Sequence, residues 1–179
     1  MTAKNLMKKH YTDTLLAMCE EQPLASVTVT ALVKRAGTAK QTFYNHFRDL
    51  NDLVNYIPRN YILEAGFTAY SPTAILKTYQ FAHEHKGFFG ALAEHAGQNN
   101  FRDEFISFAE NAAYKAFLND GLSERELLER KLAIDLYTIG VVDHGLQWCA
   151  GGLEWDPDTL ARVHAESAPD FMRANADER

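Results

Sequence analysis

Proline and glycine are scarce in this chain, 5 and 10 residues of 179. That is well below the usual sum of the two and excludes a loop-rich or collagen-like protein. The only cysteines, Cys19 and Cys149, lie far apart in sequence. Two such residues form neither a metal knuckle nor a disulfide framework, so a reduced, cytoplasmic protein without a metal site is expected. No run of about 18 apolar residues occurs, and three lysines within Met1 to Tyr11 have no apolar segment behind them. Neither a membrane span nor a signal peptide is expected. GxSxG, HExxH, GxGxxG and the phosphate-binding loop are all missing, so the sequence offers no catalytic residue and implies no cofactor. What is present is ordinary globular composition, 46% hydrophobic and 23% charged, in a chain long enough to bury a core without staples.

Charge of one sign dominates overall, with a formal net of -6, yet it is unevenly spread. Residues 1–57 carry seven basic and five acidic side chains, a net of +2, and the remainder carries 11 basic against 19 acidic, a net of -8. An N-terminal part that faces DNA and a body that avoids it would have this asymmetry, because attraction to phosphate is a local electrostatic effect. A solvated surface would have it too.

The prolines stand at 23, 58, 72, 157 and 169, leaving 73–156 free of them, as long helices require. An all-α fold of about nine helices follows. Tyr11, Leu15, Leu16, Met18 and Cys19 recur at helical spacing and mark a first helix over 3–21, stopped by Gln22-Pro23. Residues 26–33 alternate polar and apolar as a strand does. Their sequel favours a helix of barely two turns over 29–35 instead. Leu32, Val33 and Ala36 share a helical face, Thr28 can cap, and Gly37 is free to take positive φ. Thr38 is a second capping residue, after which Phe43 and Phe47 fall on one side and Lys40, Gln41, Thr42 and Asn45 on the other. Asp49 caps a fourth helix with Leu53, Val54, Tyr56 and Ile57 inward, bent or divided at Pro58 on its way towards Phe67. Ser71-Pro72 opens the next helix by the same logic. Further helices are expected over 73–85, 87–95, 100–119 and 123–150, with a last one from Asp156-Pro157 to Ala168-Pro169 and a frayed tail.

Two short helices joined at Ala36-Gly37-Thr38, the second apolar inside and polar outside, are the plan of a helix-turn-helix, whose second helix fits a major groove. From Thr28-Val29-Thr30-Ala31-Leu32-Val33 through Ala36-Gly37-Thr38 to Phe43-Tyr44-Asn45-His46-Phe47, the chain resembles the N-terminal domain of the TetR family of transcriptional regulators. The Asp49-x-x-Asp52-Leu53 continuation belongs to the same pattern. The resemblance covers about the first third of the chain and implies a DNA-binding domain over 1–57, with effector binding and dimerisation over 58–179. It implies base contacts from Thr38, Lys40, Gln41 and Thr42, and phosphate contacts from Thr28, Tyr44 and His46, the partner being double-stranded operator DNA. Lysine reaches guanine O6/N7 and glutamine pairs with adenine, while a helix start attracts anions. Leu50 departs from the pattern, standing where the family commonly carries a phosphate-binding lysine. Pro23 and Cys19 also depart, as turn and core substitutions.

Beyond Pro58 the pattern is architectural. Helix 123–150 has more apolar faces than one core contact needs, which points to a homodimer through Leu136, Ile139, Leu146 and Leu160, against the plainer reading of a helix buried within one subunit. The aromatic-rich stretch from Phe81 to Phe117 suggests an effector cavity touched by Phe88, Phe105, Phe108 and Tyr114, although most of those rings suit plain core. His83-Glu84-His85 cannot chelate from one helix, since alternate positions point to different sides. His95, His144 and His164 are isolated. The expected function is a dimeric operator-binding regulator, a repressor released by an unknown small-molecule effector. The alternative is a protein-interaction or coactivator module of the same fold that has lost operator binding.

Overall fold

The computed structural model describes residues 3–64, 72–94, 101–151 and 154–173. Among the described residues the fold is all-helical, with ten α-helices, one 3-10 turn and no strand. The strand option for 26–33 fails. Leu24–Ser26 forms the 3-10 turn, Val27 is extended, and Thr28 accepts a hydrogen bond from the Ala31 amide at 3.2 Å to begin a helix.

The first four helices are α1 (Ala3–Cys19), α2 (Val29–Arg35), α3 (Lys40–Tyr44) and α4 (Leu50–Glu64). α2 ends where Gly37 takes φ +66°, a conformation a Cβ penalises. The Thr38 amide then donates to Val33 O at 2.9 Å and the Gly37 amide to Lys34 O at 3.3 Å. That pairing satisfies the last carbonyls of the helix and fixes the sharp reversal. One expected cap is corrected here: Ala39, not Thr38, is the N-cap of α3, and it makes no side-chain capping bond. The Thr38 hydroxyl is taken instead by Tyr11 Oη at 2.7 Å, across to α1. Asp49 caps α4 through the Asp52 amide at 2.8 Å, and Pro58 lies inside that helix without dividing it.

The body comprises α5 (Pro72–Glu84), α6 (Lys86–Glu94), α7 (Phe101–Phe117), α8 (Glu124–Ala150), α9 (Pro157–Ser167) and α10 (Asp170–Arg173). Ser123 and Glu126 form a capping box at the start of α8, and Asp156 caps α9 with Pro157 at its first position. After Pro169 the short helix α10, not anticipated from the sequence, forms because Met172 is fully buried against Phe117 and Ile134, and the tail expected to fray lies, beyond Arg173, outside the described residues. The expected boundaries at Phe67, Ser71, His95 and Gly97 lie outside the described residues.

α5 lies on α9, and both α6 and α7 lie on α8. The N-terminal core of Tyr11, Leu15, Leu32, Phe43, Phe47, Leu53 and Ile57 does not stop at α4. Phe88, Leu92 and Phe101 of α6 and α7 belong to the same buried cluster. At this seam a Cβ on Gly87 would stand 2.4 Å from the carbonyl oxygen of Cys19, so only glycine lets α6 approach the end of α1. Arg59 of α4 is also ion-paired with Glu104 of α7.

Candidate nucleic-acid interface and body cavity

The candidate recognition surface rests on rings. Phe43 is fully buried, with Tyr11 edge-on at 5.3 Å, and Phe47 packs beside both. With that face fixed, the opposite face of α3 presents Lys40 and Gln41 fully outward, with Thr42 half-buried. Gln41 donates to Asn45 Oδ1 at 3.2 Å, an exposed bond that water or a base edge can exchange. Tyr44 is 50% exposed. His46 is half-buried near Tyr11, its Nδ1 without a partner among the described residues. Thr28 is exposed at the start of α2.

Of the seven residues read as DNA contacts, Thr28, Lys40, Gln41 and Tyr44 are thus at the surface, Thr42 and His46 are half-buried, and Thr38 is tied to α1. Tyr11 reads as core from its sequence position, yet its hydroxyl also holds the turn through Thr38. His10 Nε2 supports the same turn from Ala36 O at 2.9 Å. Lys8, basic and near the N-terminus, lies over the rings of Tyr56 and Phe47 at 4.5 and 5.0 Å. Arg35 is paired through both terminal nitrogens with Glu21 at 2.5 Å, holding the Glu21 carboxyl below its ordinary range. Leu50 opens α4 half-buried against the core.

A second site lies within the body, a cavity of about 130 Å³ between α4, α5, α6, α7 and α8. Pro58 and Tyr61 of α4 form one wall, and Phe81, Phe89, Phe101, Phe105 and Phe108 contribute rings. No Asp, Glu, Lys, Arg or His lines it among the described residues. Of the four residues expected to meet an effector, Phe105 and Phe108 line this space. Phe88 is fully buried in the seam with α1 instead. Tyr114 donates to Asp135 and packs with Phe117 and Ile134, away from the cavity.

Behind the cavity wall runs a buried polar relay. Tyr79 is bonded to His164 Nδ1, His164 Nε2 faces His144 Nδ1 at 2.9 Å, and Tyr137 donates to the His164 carbonyl at 2.7 Å. Burial, with His144 adjacent, pushes the His164 ring down to about 4, so it is neutral at pH 7. Burial likewise lifts the Cys19 thiol to about 11 and Cys149 to about 12, so neither is a thiolate. His83 stacks on Trp148 while His85 turns edge-on to Phe81. Among the described residues no group of three His, Cys, Asp or Glu is placed to hold a metal, and no helix is long and apolar enough to cross a membrane.

The four residues expected at a dimer interface separate clearly. Leu136 is 76% exposed and Ile139 39%, whereas Leu160 is buried against α5 and Leu146 forms part of the cavity wall. Leu128 and Leu132 extend the exposed row along α8, and Val163 of α9 is exposed as well.

A helix-turn-helix with its recognition face outward, backed by a helical body with an internal cavity, defines the class of helix-turn-helix DNA-binding proteins. Residues 12–57, about a quarter of the chain, match the family described as "Bacterial regulatory proteins, tetR family". No curated protein matches the sequence. Among solved structures, the dihydroxyacetone kinase operon activator DhaS is similar at TM-score 0.66 and 16% identity, covering 94% of this chain and 95% of that one. A TetR transcriptional regulator from Rhodococcus sp. RHA1 gives TM-score 0.55 at 16% identity, over 93% and 94% of the two chains. The TetR family repressor AlkX from Dietzia sp. strain DQ12-45-1b, implicated in biodegradation of n-alkanes, gives TM-score 0.56 at 16% identity, over 93% and 97%. The whole chain therefore has the fold of a TetR-family transcriptional regulator.

Proposed function

We propose that the protein is a homodimeric regulator that binds operator DNA through residues 28–46 and is released from it when a small molecule occupies the body cavity. The observation that carries this reading is the face of α3. Lys40 and Gln41 stand outward on a short helix whose other side is locked by Phe43, Phe47 and Tyr11. Lys40, Gln41 and Thr42 take the base edges, with Thr38 beside them at the turn, and Thr28, Tyr44 and His46 take phosphates. The exposed row Leu128, Leu132, Leu136 and Ile139, with Val163 beside it, supplies the two-fold contact, since an apolar patch of that length is unusual on a monomer. Pro58 and Tyr61 make α4 both a wall of the cavity and a continuation of the DNA-binding domain. An effector that prefers one setting of α4 changes the spacing of the two recognition helices.

Leu50 supports a second reading. An apolar side chain starts α4 where a cation would meet phosphate, and one similar structure is an operon activator. On that reading the chain acts through another protein rather than an operator. Selection from random duplexes decides between the two. The operator reading gives an enriched palindrome, and recovery of no preferred sequence supports the interaction module.

A further inference from the structure

The cavity is nearly uniform in chemistry. Its hydroxyls are mostly committed to the protein: Thr78 donates to Ala74 O at 3.0 Å, Tyr79 is bonded to His164, and Tyr137 donates to His164 O. Thr138 differs. It lies in the middle of α8, is 3% exposed and lines the cavity, yet its Oγ1 has no hydrogen-bond partner among the described residues. A threonine inside a helix ordinarily returns its hydroxyl to the carbonyl four residues back. A buried hydroxyl left unsatisfied is costly, and native proteins supply a partner for nearly all of them.

We propose that the cavity takes a compact, uncharged molecule of about one substituted ring, whose single hydroxyl or carbonyl group hydrogen-bonds Thr138 Oγ1. This rests on the reading of the cavity as the effector site and adds the chemical class of the effector. Size follows from the volume of about 130 Å³, since apolar cavities of about 150 Å³ in other proteins accept benzene. Aromatic character follows from the phenylalanine walls, whose edges and faces suit a further ring. Neutrality follows from the absence of any charged lining side chain among the described residues, because an unpaired carboxylate moved there loses its hydration without compensation.

The test is calorimetric titration of the full chain and of Thr138→Val with toluene, p-cresol and benzoate. Valine keeps the shape and removes the hydroxyl. In the wild type p-cresol is expected to bind at least as tightly as toluene, with benzoate about 100-fold weaker or undetectable. In Thr138→Val toluene affinity stays within about twofold while p-cresol weakens about tenfold, its hydroxyl now unpaired. The ligand-free variant is expected to melt no lower than the wild type, since it loses an unpartnered polar atom rather than a bond. A p-cresol to toluene ratio unchanged by the substitution overturns the anchor and leaves the effector site standing, as does benzoate binding best. Failure of all three probes to bind overturns the effector site and the inference together.

Discussion

The N-terminal domain and the body spend their aromatic residues in opposite ways. In the first, Tyr11 meets Phe43 and Phe47 edge to face while those two rings lie tilted against each other, and this buried cluster backs the outward face of α3. In the body, Phe81, Phe89, Phe105 and Phe108 surround a void. Dense packing resists deformation, whereas a cavity lets a guest alter the packing around it. On the proposed function, the first region holds a fixed surface for DNA and the second is the one a guest reshapes; α4, α6 and the shared cluster of Phe88 and Leu92 join them.

The largest expected effect separates exposure from burial within α8. Leu136→Glu leaves the single chain folded, because the side chain is already in water, but places a carboxylate in the proposed two-fold contact. Light scattering should give half the wild-type mass, and affinity for a palindromic duplex should fall more than about 100-fold. A dimer of unchanged mass would move the interface elsewhere on the body. Next come Lys40→Ala and Gln41→Ala, each expected to cost about 1–3 kcal/mol at one base pair per half-site, while Tyr44→Phe weakens all sequences alike and by less. Site selection with each variant reads this out. Retention of the wild-type preference by both would remove α3 from base reading.

The seam between the regions gives a comparable but distinct effect. Gly87→Ala forces a Cβ against the Cys19 carbonyl and should cost about 1–3 kcal/mol of stability as α6 is pushed from α1. Denaturant midpoints measure it. An unchanged midpoint would mean that the two regions do not depend on that contact. The smallest effect at neutral pH belongs to His164, whose ring is uncharged there in the folded state. Its folded value of about 4 lies below the ordinary 6.5, so between those two values the unfolded chain binds more protons. Stability is therefore lost as pH falls through that window. His164→Gln, which keeps an acceptor for Tyr79, should flatten the denaturant midpoint against pH between about 4 and 6.5. A profile identical to the wild type would remove His164 as its source.

Legibility in the sequence followed the range of the interactions. α2 was readable to the residue, because Thr28, Gly37 and the Leu32-Val33-Ala36 face act within a few positions of one another. Thr38 misled as a cap because its hydroxyl is claimed by Tyr11, 27 residues away. In the body the same limit applied more broadly. Ring spacing suggested a cavity but not which rings face it, so Phe88 and Tyr114 were grouped with Phe105 and Phe108 although they pack elsewhere. Thr138 carries no local signal, since its distinction lies in the partner it lacks. Helical periodicity marked Leu136 and Leu160 alike as apolar, and only the packing of α9 on α5 separates the exposed one from the buried one.

The central claim is that a guest in the body changes the fixed face of the N-terminal domain. Titrating a selected palindromic duplex with the protein, free and saturated with whichever of toluene or p-cresol binds more tightly, tests this directly. A coupling of about 1.4 kcal/mol or more, read as at least a tenfold loss of duplex affinity in the saturated protein, is the predicted result. Equal duplex affinity with the guest bound and absent would contradict the account, since a ligand without differential affinity for the two states shifts nothing.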